Sequence, residues 1–125
     1  MKIALFPSVM VALVGMILLA APAQACCKYT LVSYSEKNTV ETHDEASFGA
    51  ICRRFFSPPG NGMLIGIEII EKPRFGQFGA ANRMTMAYKA PNTVGKDSYL
   101  VRINYEWAGR TTWTQMRVNI SIFEK

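Results

Sequence analysis

Along the second half of the chain, apolar and polar residues alternate with the period of two that marks half-buried β-strands. From Ser98 to Trp107, the residues Tyr99, Val101, Ile103, Tyr105 and Trp107 share one face. Ser98, Arg102, Asn104 and Glu106 share the other, and Leu100 breaks the pattern. From Thr111 to Phe123, Thr112, Thr114, Met116, Val118, Ile120 and Ile122 alternate with Trp113, Gln115, Arg117, Asn119 and Ser121. Ala108-Gly109-Arg110 supplies a glycine for a tight turn, so the two runs are expected to pair as an antiparallel hairpin. Alternation alone leaves open which face is core, the Tyr105 row or the Trp113 row.

Upstream, Met63, Ile65, Ile67 and Ile69 read as one inward row after the turn Pro58-Pro59-Gly60-Asn61-Gly62. Tyr29 to Ser35 and Phe48 to Phe56 read as earlier strands, and Met84 to Tyr88 as a short one. Asn38 to Glu45 is polar and fits a strand edge or a loop. Roughly seven short strands, with turn signals roughly every 8 to 12 residues, predict an all-β, immunoglobulin-like antiparallel sandwich. No helix is supported after residue 25, and no repeat or linker interrupts residues 26–125.

The first 25 residues have a different texture. Lys2 precedes a nearly unbroken apolar run from Ile3 to Ala20, and Ala23-Gln24-Ala25 has the small residues of a cleavage site. The run approaches the roughly 18 residues at which a membrane span becomes plausible. Pro7, Pro22 and the A-x-A site favour a signal-peptide helix cleaved near Ala25, leaving one domain over 26–125 and a periplasmic or secreted location. Lipidation of Cys26 would tether that domain to a membrane, the one case in which a membrane partner is expected. Ala23 stands where lipid attachment normally wants a leucine-like residue.

Export makes a disulfide the expected use of cysteine. Of the three cysteines, Cys52 is expected to pair with Cys27 or with Cys26, closing a loop of about 25 residues that contributes roughly 3 kcal/mol. The net charge of +5 is spread thinly, with Arg53-Arg54 and Lys72-Pro73-Arg74 as the close basic pairs. No basic stripe points to nucleic acid.

Catalytic chemistry finds little footing. His43 is the single histidine, and His43-Asp44-Glu45 has no C-x-x-C or H-x-x-x-H partner to complete a zinc site. There is no nucleophile elbow, phosphate loop or dinucleotide fingerprint. A Cys52 nucleophile with His43 as base is the one enzymatic arrangement to weigh, and a disulfide would forbid it. The expectation is therefore a non-enzymatic protein without catalytic, metal or cofactor-binding residues. Asn119-Ile120-Ser121 matches a glycosylation sequon inside an expected strand. The candidate ligand face is Trp113, Gln115, Arg117 and Asn119 beside Arg102 and Asn104, an aromatic ring among planar hydrogen-bonding groups suited to a sugar or a protein.

Pro73-x-x-Gly76, then Tyr88-x-x-Pro91, then Gly95-x-Asp97-Ser98-Tyr99 resembles the bacterial Ig-like, cadherin-like modules of surface and envelope proteins. The resemblance spans roughly Ile67 to Ile122 and implies an envelope module whose partner is a protein or a glycan, such as peptidoglycan. Those modules usually occur in tandem with calcium-binding acidic linkers, whereas this chain has one copy and a basic balance. Gly76 and Gly95 are candidates for positive φ, and Asp97 for accepting backbone N–H groups in a turn. Tyr88 and Tyr99 are expected to bury their rings while each hydroxyl reaches a polar neighbour. Tyr105-Glu106-Trp107 is loosely similar to a loop of chagasin-type protease inhibitors, whose other loops are missing.

Overall fold

The computed structural model describes residues 27–124. The expected signal-peptide helix, its cleavage point and Cys26 lie outside the described residues. The described chain is all-β, in two facing sheets. Its strands are β1 (Cys27–Lys28), β2 (Thr39–Ser47), β3 (Ile51–Phe55), β4 (Met63–Glu71), β5 (Gln77–Asn82), β6 (Thr85–Lys89), β7 (Gly95–Trp107) and β8 (Arg110–Phe123). One sheet has the order β1-β2-β8-β7-β4 and the other β3-β6-β5. The neighbours β8-β7-β4 and β3-β6-β5 reproduce the strand order of the two sheets of an immunoglobulin-like sandwich. The fold departs from the expected all-antiparallel pairing at one place: β2 runs parallel to β8, from Thr39 opposite Gln115 to Ser47 opposite Phe123. A parallel partner far away in sequence leaves no turn between the strands to announce it.

The β7–β8 hairpin forms the spine, in register from Gly95 opposite Ile122 to Trp107 opposite Arg110. Ala108 (φ 54°) and Gly109 (φ 77°) are both left-handed, the geometry of a type I′ turn that matches strand twist. Tyr99, Val101, Ile103, Tyr105, Thr112, Thr114, Met116, Val118, Ile120 and Ile122 are buried. The Tyr105 row is thus the core face, and the Trp113 row faces outward.

The three-stranded sheet is short and covers only part of that spine. Residues 29–35, expected as a strand, form no ladder and instead close the remaining end. There the Ser35 carbonyl accepts from Thr114 Oγ1 at 2.9 Å and the Thr30 carbonyl from Thr42 Oγ1 at 2.6 Å. Tyr34 meets Tyr105 edge-on with ring centroids 5.4 Å apart. Side-chain hydroxyls on the core face thereby take the place of ladder hydrogen bonds.

Two further expectations are corrected. In β4 the inward residues are Leu64 and Ile67, not the Met63–Ile65–Ile67–Ile69 row; Met63 is 64% and Ile65 49% exposed. A register shift between Leu64 and Gly66 moves the alternation by one residue, and the edge position leaves the outward residues uncovered. Gly76 and Gly95 do not have positive φ. Gly76 is required for another reason: a Cβ there would overlap the Tyr88 ring.

The Cys27–Cys52 disulfide joins β1 to β3 and so ties one sheet to the other, with a sequence separation of 25. Of the two expected pairings, this is the one formed.

Candidate functional site

All six candidate face residues come together on the outer surface of β7 and β8. Asn104 lies opposite Trp113 and Arg102 opposite Gln115. The Arg102 guanidinium stacks over the Trp113 ring, 4.3 Å from its centroid. Arg117 reaches Glu71 on β4 at 3.0 Å and Ser98 at 3.4 Å. Asn119 donates to Glu41 on β2 at 3.0 Å and to the Thr42 carbonyl at 3.3 Å. The face is therefore a cross-strand ladder in which most polar groups already hold a partner, and one side of the indole is occupied by Arg102. What it offers a ligand is the remaining indole surface with Gln115 and Asn104 beside it.

The turn motifs converge elsewhere. The Asp97 carboxylate accepts from the backbone N–H groups of Arg74 (2.9 Å), Phe75 (3.3 Å), Gly76 (2.9 Å) and Ser98 (3.0 Å). It also accepts from the Tyr88 hydroxyl at 2.7 Å. Pro73-x-x-Gly76, Tyr88 and Asp97 thus build one structural knot in which a buried carboxylate gathers a loop more than twenty residues upstream. Burial would raise the Asp97 carboxyl, but the donors of Gly76, Tyr88, Arg74 and Ser98 outweigh it and hold it below the ordinary carboxylate value. The Tyr88 hydroxyl is pushed up by burial and by the charge it faces. The expected local turn at Asp97 is in fact a long-range clasp, and motif spacing alone does not reveal it.

A second buried carboxylate lies between the sheets. Asp44 on β2 forms an ion pair with Arg54 on β3, both poorly exposed. Burial raises the Asp44 carboxyl above its ordinary value, and the Arg54 guanidinium offsets part of that rise. Arg54 Nε is left without a hydrogen-bond partner, and the guanidinium also lies 5.5 Å from the centroid of the Tyr29 ring. The neighbouring Tyr99 hydroxyl is raised, chiefly by burial. Burial also pushes the Tyr34 hydroxyl up to about 12, with Tyr105 adding to the rise and Arg54 opposing it. Sequence reasoning missed this pair because His43-Asp44-Glu45 and Arg53-Arg54 read as solvated runs. No alternation of apolar residues along Thr39–Ser47 announces it, since the buried Thr42 and Asp44 are as polar as their exposed neighbours.

The enzymatic arrangement has no geometry to support it. Cys52 is bonded to Cys27, while His43 is exposed on the outer face opposite Asn119. Among the described residues no group of three or more His, Cys, Asp or Glu could hold a metal ion. No helix among them is long and apolar enough to cross a membrane. No protein-family model matches the chain, and no curated protein sequence is similar to it.

A further surface was not expected from the sequence. β4 is the edge of the larger sheet, and Met63, Ile65, Ile69 and Ile70 are between 39% and 64% exposed along it. The same inward reading of the isoleucine run that misplaced the core concealed this edge.

Proposed function

We propose that the chain is a non-enzymatic binding module of the bacterial envelope and that it meets a protein partner along the free edge of β4. The observation that carries this reading is an open nine-residue edge strand bearing Met63, Ile65, Ile69 and Ile70. Such an edge presents unpaired backbone donors and acceptors, and an extended segment of another protein satisfies them by adding a strand. The exposed side chains would supply the apolar contacts that the backbone lacks. The resemblance to envelope modules and the apolar run before residue 25 support the location. Asp44, Arg54, Asp97 and Tyr88 are committed to the fold, which supports a module without chemistry of its own.

The test is retention of envelope proteins on the immobilised protein, compared with Ile65→Lys/Ile70→Lys and with Trp113→Ala. Lysine at an edge discourages strand addition. The expected result is a defined protein held by wild type and Trp113→Ala and released by the double variant. A glycan retained by wild type and lost in Trp113→Ala would move the function to the outer face of β7 and β8. Retention indifferent to both changes would remove the β4 reading.

A further inference from the structure

We infer that one end of the sandwich is built to rest on an anionic lipid surface. Two connections meet at this end. Residues 72–76 carry Lys72, Arg74 and Phe75, and residues 90–94 carry Val94 just before Lys96. Phe75 is 60% and Val94 64% exposed, and Phe75 is held in place through the bond from its backbone N–H to the buried Asp97. Between them runs a groove of about 370 Å³ walled by Phe75, Pro91, Val94 and Ile122, with Lys96 at its lip. The Arg74 guanidinium lies 5.4 Å from the Phe75 ring centroid, so cation and apolar tip are presented together.

The position of the chain termini adds a second observation. Cys27 lies opposite Ala46, near the end of β2, and Ser47 lies opposite Phe123. Gly95, which opens β7, lies opposite Ile122. Cys27, the first described residue, therefore lies at the same end as both apolar tips. Phe123, 48% exposed, adds a third apolar side chain there.

Charge selects the headgroup. Lys28, Lys72, Arg74, Lys89 and Lys96 are exposed around this end. Of the nearby carboxylates, Asp97 is buried in its clasp, Glu71 is paired with Arg117, Glu45 lies opposite Lys28, and Glu124 follows Phe123. Apolar tips on separate loops, each beside a cation, suit insertion into the headgroup layer better than a flat protein contact. The contact is independent of the β4 edge, which runs along the side of the sandwich.

The test is vesicle flotation with residues 26–125, since the sandwich, its core and its disulfide close within the described residues. Vesicles of phosphatidylcholine alone are compared with vesicles containing about one-third phosphatidylglycerol, where binding should rise about tenfold. Phe75→Ser/Val94→Ser should lose most of that gain at unchanged urea midpoint, and Arg74→Glu/Lys96→Glu should lose it as well. Ile65→Lys/Ile70→Lys should bind as wild type, which keeps this contact distinct from the edge. Equal binding to both vesicle types, or binding untouched by the Phe75/Val94 change, overturns the inference. A change of oligomeric state rather than of flotation in that variant assigns the end to self-association and overturns it too.

Discussion

Asp97 and Asp44 are two carboxylates with little exposed surface, 7% and 5%, whose carboxyls shift in opposite directions. Asp97 sits among backbone N–H groups and a tyrosine hydroxyl held in place by the strands and loop around it, and its carboxyl is lowered. Asp44 leans chiefly on a guanidinium that is itself desolvated, and its carboxyl is raised. The difference teaches that several fixed dipoles outweigh a moderate desolvation, whereas one counter-ion that must also leave water does not outweigh a deeper one. It also assigns different work to the two sites. The Asp97 clasp determines where the Arg74–Gly76 loop stands, whereas the Asp44–Arg54 pair bridges the sheets.

The sharpest way to break the comparison is Asp97→Ala. It strands the Tyr88 hydroxyl and the N–H groups of residues 74–76 at about 1–3 kcal/mol per buried unpaired group, so a loss of about 4 kcal/mol is expected in urea unfolding. A loss below about 1 kcal/mol would mean the clasp is not a stability element. Reduction of Cys27–Cys52, followed by the same unfolding measurement, should cost about 3 kcal/mol, because that bond joins the sheets beside the Asp44 pair.

Arg54→Met should cost less than removal of a partner usually does, about 2 kcal/mol at neutral pH, because Asp44 can take up a proton. The loss should shrink as the solution is acidified, which equilibrium unfolding across pH would show.

The pH profile separates the two carboxylates by sign. The folded value of Asp97 lies below its unfolded value, so its stabilisation is present above the unfolded value and is lost as pH falls through the folded one. Asp44 has the reverse sign: its contribution is present below the unfolded value and is lost as pH rises through the raised folded value. Asp97→Asn should therefore flatten the acid loss of stability, while Asp44→Asn should steepen it. Identical profiles for both variants would dissolve the contrast. The smallest effect is expected at the surface, where Arg102→Ala removes the stack on Trp113 at a cost of about 0.5–1 kcal/mol.

Much of this architecture was legible. The β7–β8 hairpin, its turn and the residues on each of its faces follow from strict alternation around Ala108-Gly109. The Cys27–Cys52 bond was one of the two pairings expected for Cys52. The candidate face was legible as a set of residues, because its members share parity on adjacent strands. Their partners Glu41 and Glu71 were not, since they arrive from β2 and β4 through pairings that no short turn encodes.

What the sequence by itself determined is the local part: an all-β chain, the strand spine from Gly95 to Phe123, and the tight turn at Ala108-Gly109. The tertiary structure decided which apolar rows are core, because burial depends on the facing sheet. Residues 29–35 alternate like a strand yet lie across an open end, and Ile65 and Ile69 of β4 look inward-facing yet are exposed along an uncovered edge. It also decided that Asp97 clasps Arg74–Gly76 and that Asp44 meets Arg54. Both contacts join segments that only chain folding brings within hydrogen-bond distance, so their energies are invisible to any pattern of neighbours along the chain.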